Sequence, residues 1–223
     1  PFAFTGNRFE FRAVGSSQSI SGPLVVLNSI MADSLDYMAT QIEQAVAFGS
    51  EFNEAVEDVL RDVMVKHGRV IFNGDGYSDE WQDEAARRGL PNLKATPEAL
   101  SVYETKEAQE LFDRLDVLTP RELHSRYEAY MGQYVMSISV EARSTLEMAR
   151  TLIYPSVKRF QANLAGTENE LVALGLGGDT ETLTRVTELV TELTCAVAPL
   201  AQAIDGLPDA APIGEQATYC RET

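Results

Sequence analysis

Two periodicities organise the chain. Residues from about Asn7 to Val14 alternate charged and apolar types, the period-two pattern of a strand. Gly15, Ser16, Ser17 and residues 19–22 then break the alternation into a loop. From Pro23, which suits a first helical turn, the period becomes helical. Leu24, Leu27, Met31, Leu35, Met38 and Ile42 form one apolar stripe of a helix reaching about Phe48, with Gly49 as its stop. Ser50 is positioned to cap a second helix to about Lys66, with Glu51 and Glu54 near its positive end.

Val70-Ile71-Phe72 is too short to assign, and the Asn73-Gly74-Asp75-Gly76 turn follows it. Ser78 caps a short helix through Arg88, and Thr96-Pro97 and Thr119-Pro120 are two further helix starts. Residues Arg121 to Asn163 read as almost continuous helix, broken near Ser137 and bent near Pro155. Between Thr180 and Ile204, residues Leu183, Val186, Val190, Leu193, Val197, Leu200 and Ile204 make an a/d seam. The preceding segment offers Ala142, Leu146, Ala149, Ile153, Phe160 and Leu164 as a matching stripe. The glycine-rich turn at Gly175, Gly177 and Gly178 lets the two fold back as an antiparallel hairpin.

The expected fold is therefore mostly α: one strand, a large helical region, and a terminal helical hairpin. The expected divisions are a strand and loop at 1–22, a helical region at 23–136, a hairpin at 137–206 and a flexible tail at 207–223. Beyond Gly206, prolines and small residues suggest that loose tail.

Charge narrows the partners. A formal net charge of −16 repels phosphate backbones and anionic membranes, which bind through clustered Lys and Arg. Neither nucleic acid nor membrane is an expected partner, and no run of eighteen or more apolar residues could span a bilayer. Cys195 and Cys220 are far apart and form no CxxC pair, so a reducing cytoplasm is the expected setting. The opening Pro1-Phe2-Ala3-Phe4-Thr5-Gly6-Asn7 is neither an initiator nor a signal peptide, and reads as a chain entered partway.

Candidate chemistry concentrates in Arg8-Phe9-Glu10-Phe11-Arg12. On a strand, alternate residues share a face, about 6.7 Å apart, so Arg8, Glu10 and Arg12 would point together. Two guanidinium forks flanking a carboxylate suit a site that handles phosphate, carboxylate and a divalent cation. The structural alternative is a half-buried strand with an ordinary cross-strand ion pair.

The segment from Phe2 to Ser17 closely resembles the last active-site strand of type III glutamine synthetases. Arg69-Val70-Ile71-Phe72-Asn73-Gly74-Asp75-Gly76-Tyr77-Ser78, Gly89-Leu90-Pro91-Asn92-Leu93 and Glu122-Leu123-His124-Ser125-Arg126-Tyr127-Glu128 are similar to the same family, in the same order. The resemblance runs to about Phe160. It implies an α+β intact enzyme that joins ammonia to glutamate through γ-glutamyl phosphate, using ATP as substrate and Mg²⁺ or Mn²⁺. It also implies identical subunits in a ring with shared active sites. By the same resemblance, Glu10 would ligate the metal, Arg8 would face the nucleotide phosphates, and Arg12 would contact glutamate and the transferred phosphoryl group. The family's remaining ligands precede this strand, so this chain alone is expected to be inactive. The competing reading is a non-catalytic helical interaction or regulatory module, with the hairpin as its contact surface.

Other signals read as structural. Asn73, Asp75, Asp79 and Glu84 partly imitate a calcium loop, but Tyr77 and Ser78 occupy the wrong places. His67 and His124 are expected to be structural, Tyr127, Tyr130 and Tyr134 to pack, and Cys195 to sit inert beside the apolar seam.

Overall fold

The computed structural model describes residues 2–4, 6, 8–11, 15, 18–178 and 180–223. Helix dominates it. The chain opens with two short antiparallel strands, β1 (Phe2–Phe4) and β2 (Phe9–Phe11), in a register that sets Phe2 against Phe11, Ala3 against Glu10 and Phe4 against Phe9. β2 falls within the strand expected from about Asn7 to Val14, of which residues 7 and 12–14 lie outside the described residues, and β1 adds a partner strand that the spacing did not predict. Closing the hairpin between Phe4 and Phe9 takes Arg8 into the connection, where Gly6 adopts φ +93°, a region L side chains rarely enter.

Two compact units follow. The first comprises Pro1–Lys94 and Ser101–Ser125. Its long helix α1 (Ser21–Ala47) packs against α2 (Phe52–His67) and further along the chain against α5 (Lys106–Arg114). Gly49, at φ +101°, closes α1: its own N–H donates to Val46 O at 3.0 Å and that of Ser50 to Ala45 O at 3.1 Å. These are the paired bonds of a glycine-terminated helix end. The expected Ser50 cap is absent: the N-cap of α2 is Glu51, which makes no side-chain cap hydrogen bond.

The packed side of α1 differs from the expected stripe. Leu24, Met31 and Leu35 are exposed, while Leu27, Met38 and Ile42 are half-buried. Polar residues take part of the inner line: Ser29 is buried with its hydroxyl donated to Val25 O at 2.8 Å, and Asp33 pairs with Arg114 of α5. A hydroxyl satisfied inside its own helix can be buried at little cost, so apolar periodicity alone mislocates this face.

Helix α3 (Asp79–Arg87) starts as read, with Ser78 Oγ accepting the Trp81 N–H at 3.3 Å. Two helices continue the chain, α4 (Thr96–Leu100) and the α5 already described, with Phe112 buried on α5. Helix α6 (Pro120–Met148) begins with a reciprocal cap: Glu122 N–H donates to Thr119 Oγ1 at 3.3 Å, and Thr119 N–H donates to the Glu122 carboxylate at 2.9 Å. Leu123, fully buried, follows directly.

The second unit comprises Ala95–Leu100 and Arg126–Thr223. The expected break at Ser137 is absent, since α6 runs unbroken to Met148. The irregularity lies instead in a single π turn at Ala149–Ile153, ahead of α7 (Tyr154–Ala173). Pro155 lacks the N–H that would bond Thr151 O, and Thr151 Oγ1 donates to Glu147 O at 2.7 Å. Both weaken the regular ladder at this turn.

A π turn inserts one residue into the helical register. Ala142, Leu146 and Ala149 point inward as expected, but Ile153 and Phe160 are exposed and the packed line beyond moves to Val157, Gln161, Leu164, Glu168 and Leu171. The partner seam on α8 (Thr180–Asp205) matches the reading at every position, Leu183 to Ile204, with Val190 buried. Helices α7 and α8 pack together as an antiparallel hairpin, with Gln161 Nε2 donating to Thr187 Oγ1 at 2.7 Å.

The expected loose tail is largely helix. Helix α9 (Ile213–Glu222) buries Ala217 completely against Met131 and Val135 of α6, with Tyr127, Tyr134, Leu100 and Ile213 around them. The small residues that suggested looseness are what allow this close approach. Among the described residues, no helix is long and apolar enough to cross a membrane.

Candidate functional site

Glu10 is central in β2, half-buried and opposite Ala3. Arg8 is exposed, one residue before the strand. Arg12 lies outside the described residues, so the three-residue constellation is represented by its first two members. Glu10 offers hard oxygen donors of the kind Mg²⁺ or Mn²⁺ prefers. Among the described residues no three His, Cys, Asp or Glu side chains gather to hold a metal. A single carboxylate supplies at most two of the six or more oxygen donors such an ion takes.

The loop after α2 has a structural rather than a metal-binding arrangement. Asp75 Oδ1 accepts the Tyr77 N–H at 2.9 Å, and Glu84 receives the Arg88 Nε–H at 2.5 Å with Arg87 also at 2.5 Å. The Arg88 hydrogen bond, opposed by desolvation and aided by the charge of Arg87 and of Arg88, holds the Glu84 carboxyl below its usual range. Arg88 also donates to Arg69 O at 3.0 Å and Ile71 O at 2.8 Å, and its guanidinium stands 5.6 Å over the Trp81 ring. Trp81 stacks on Phe72 at 4.5 Å. This clasp escapes sequence reasoning because its partners are backbone carbonyls, which carry no side-chain signal.

The remaining candidates divide. His124 Nδ1 lies 2.9 Å from the Glu104 carboxylate, a local pair on the surface of the first unit. Tyr127 and Tyr134 pack against the Met131 cluster as expected. Cys195 is exposed, not within the seam, because it falls between Leu193 and Val197 on the outer side of α8. The Gly175 turn closes α7 at φ +75°, with Leu176 N–H donating to Leu171 O at 2.9 Å, and serves as a connection.

Comparison with known proteins gives the context for this arrangement. A family model described as the glutamine synthetase C-terminal domain matches residues 55–171, which run from α2 into α7. The chain is 42% identical over 172 residues to a type-3 glutamine synthetase of Dictyostelium discoideum, covering 77% of this chain and 23% of that protein. It is 35% identical over 164 residues to a glutamine synthetase of Bacteroides fragilis (strain YCH46), covering 74% and 22% respectively. A glutamine synthetase of Butyrivibrio fibrisolvens is 36% identical over 165 residues, covering 74% and 23%. The matches span less than a quarter of these relatives. On these matches the chain belongs to the glutamine synthetase family, of type III, and carries its C-terminal domain.

Proposed function

We propose that this chain is the C-terminal part of a glutamate–ammonia ligase, which converts glutamate, ammonia and ATP to glutamine, ADP and phosphate through γ-glutamyl phosphate. The observation that carries this reading is the 42% identity to a type-3 glutamine synthetase across 77% of the chain. In the proposed site, Glu10 is one oxygen ligand to Mg²⁺ or Mn²⁺, Arg8 meets the nucleotide phosphates, and Arg12 grips glutamate and the phosphoryl group in transfer. A bound divalent ion neutralises phosphate charge and aligns the groups that react. The arginines serve phosphoryl transfer by positioning it and by stabilising its spreading charge.

The helical portion then supports the catalytic portion and contacts identical subunits in a cytoplasmic ring. A single carboxylate cannot hold the metal alone, so the isolated chain is inactive in this reading. A second reading has one observation in its favour: the family model covers residues 55–171, within the helical portion, and omits the strands. In that case the chain is a helical interaction module without chemistry of its own.

Assaying ATP- and ammonia-dependent glutamine formation separates the two. The full-length protein containing this chain is expected to form glutamine, and the 223-residue chain alone to form none. An inactive full-length protein contradicts the ligase reading and leaves the module; an active isolated chain contradicts the proposed division of ligands.

A further inference from the structure

The second unit contains a half-open cavity of about 90 Å³ between α6, α8 and α9. At about 30 Å³ per water this is room for about three waters. Its walls are mainly apolar, formed by Ile138, Ala142, Leu200, Ala203, Ile204 and Leu207. Water held against such walls lacks the two to four polar partners that would keep it there, so an apolar group displaces it favourably.

The polar lining is sparse and mostly self-satisfied. Cys220 lies beside Ser139, and burial, only partly offset by that hydroxyl, pushes its thiol up. Tyr219 uses its hydroxyl on Ala203 O. Arg143 is the one lining residue with a charged side chain, and Thr223 completes the polar part of the wall. A planar guanidinium at the edge of an apolar hole is suited to a carboxylate whose hydrocarbon part occupies that hole. The net charge of −16 opposes anions at long range, but over more than about 8 Å it is screened at physiological salt, and the contact is set by Arg143.

We propose that this cavity binds a short-chain apolar carboxylate, with its tail among Ala142, Leu200 and Ile204 and its carboxylate on Arg143. Its place against α9 means that occupancy would tie α9 to α6 and α8, which makes the site suited to a small-molecule regulator. The proposal concerns the helical unit alone and stands apart from the chemistry assigned to Glu10.

The probe is isovalerate, compared with the uncharged isovaleramide, titrated into the full chain and followed by saturation-transfer NMR. Isovalerate is expected to bind, and the amide to bind roughly tenfold or more weakly, since a charge-assisted bidentate contact is lost. Arg143→Gln, at an exposed position, should abolish the preference for the acid. Ala142→Leu, which fills the cavity, should abolish binding of both, with retained folding checked by circular dichroism. Should Ala142→Leu fail to fold, Arg143→Gln decides alone. No saturation transfer to isovalerate overturns the proposal, as does an unchanged acid preference in Arg143→Gln. Undiminished binding to a folded Ala142→Leu chain overturns it too.

Discussion

The Tyr219 hydroxyl donates to the backbone carbonyl of Ala203 at 2.9 Å, so α9 supplies a partner to the end of α8. Carbonyls in the last helical turn have no intrahelical donor, and at this half-buried end the side chain of another helix provides one. Tyr219→Phe keeps the ring and removes only that donor. It should cost about 1–2 kcal/mol, the usual penalty for leaving a buried carbonyl unpaired, measured from urea unfolding. Hydrogen exchange should rise in α9 before it rises in α7. An unchanged urea midpoint would show that water replaces the hydroxyl without loss.

The π turn at Ala149–Ile153 accounts for a one-residue shift of the packed face between Ala149 and Val157. Deleting Thr151 should convert that turn to regular helix and leave Ala142, Leu146, Val157, Gln161 and Leu164 still facing α8. Deleting Ala162, inside a regular stretch of α7, rotates everything beyond it by about 100°. The first deletion should cost about 1–2 kcal/mol and the second several, both read from chemical denaturation. Equal costs would mean that the bulge does not set the register.

Arg88 and Glu84 couple the loop after α2 to pH. The Glu84 carboxyl is held below its usual 4.5 in the folded chain, first by the Arg88 hydrogen bond. A depressed folded-state value adds stability that is fully present above about pH 4.5 and is lost as pH falls through the depressed value. Arg88→Gln should therefore differ from the parent most near neutrality, and the difference should shrink on acidification to about pH 3. Trp81 is the single tryptophan, so its fluorescence reports directly on this loop. A stability gap that is constant across that range would assign the contribution of Arg88 to its bonds with Arg69 and Ile71 instead.

Much of the fold was legible where spacing alone decides it. The α8 seam needs only apolar residues three and four apart, and every member from Leu183 to Ile204 faces inward or is partly covered. The caps at Ser78 and Thr119 were equally readable, because each uses a local side chain. Three features were not. The π turn arises from a local hydrogen-bonding conflict that leaves apolar spacing intact until Ile153. The face of α1 is set by Ser29 and Asp33, polar residues whose burial depends on partners, one of them 81 positions away. Helix α9 hides behind small residues whose value is close packing rather than hydrophobicity. At the candidate site, the carboxylate of Glu10 was legible on its strand, but the turn that removes Arg8 from it depends on pairing with Phe2–Phe4.

The most direct test of the ligase reading is a metal titration of activity in the full-length enzyme carrying Glu10→Gln, beside Arg12→Lys. Glu10→Gln retains size but removes the charge a divalent cation requires, so activity should fall steeply and the metal needed for half-maximal activity should rise. Arg12→Lys retains charge but loses the planar fork, and turnover should fall by about a hundredfold, as for loss of one transition-state donor. Assembly, checked by light scattering, should remain that of the parent in both. Near-parental turnover and an unchanged metal requirement in assembled variants would contradict the proposed site and leave this segment as a structural hairpin.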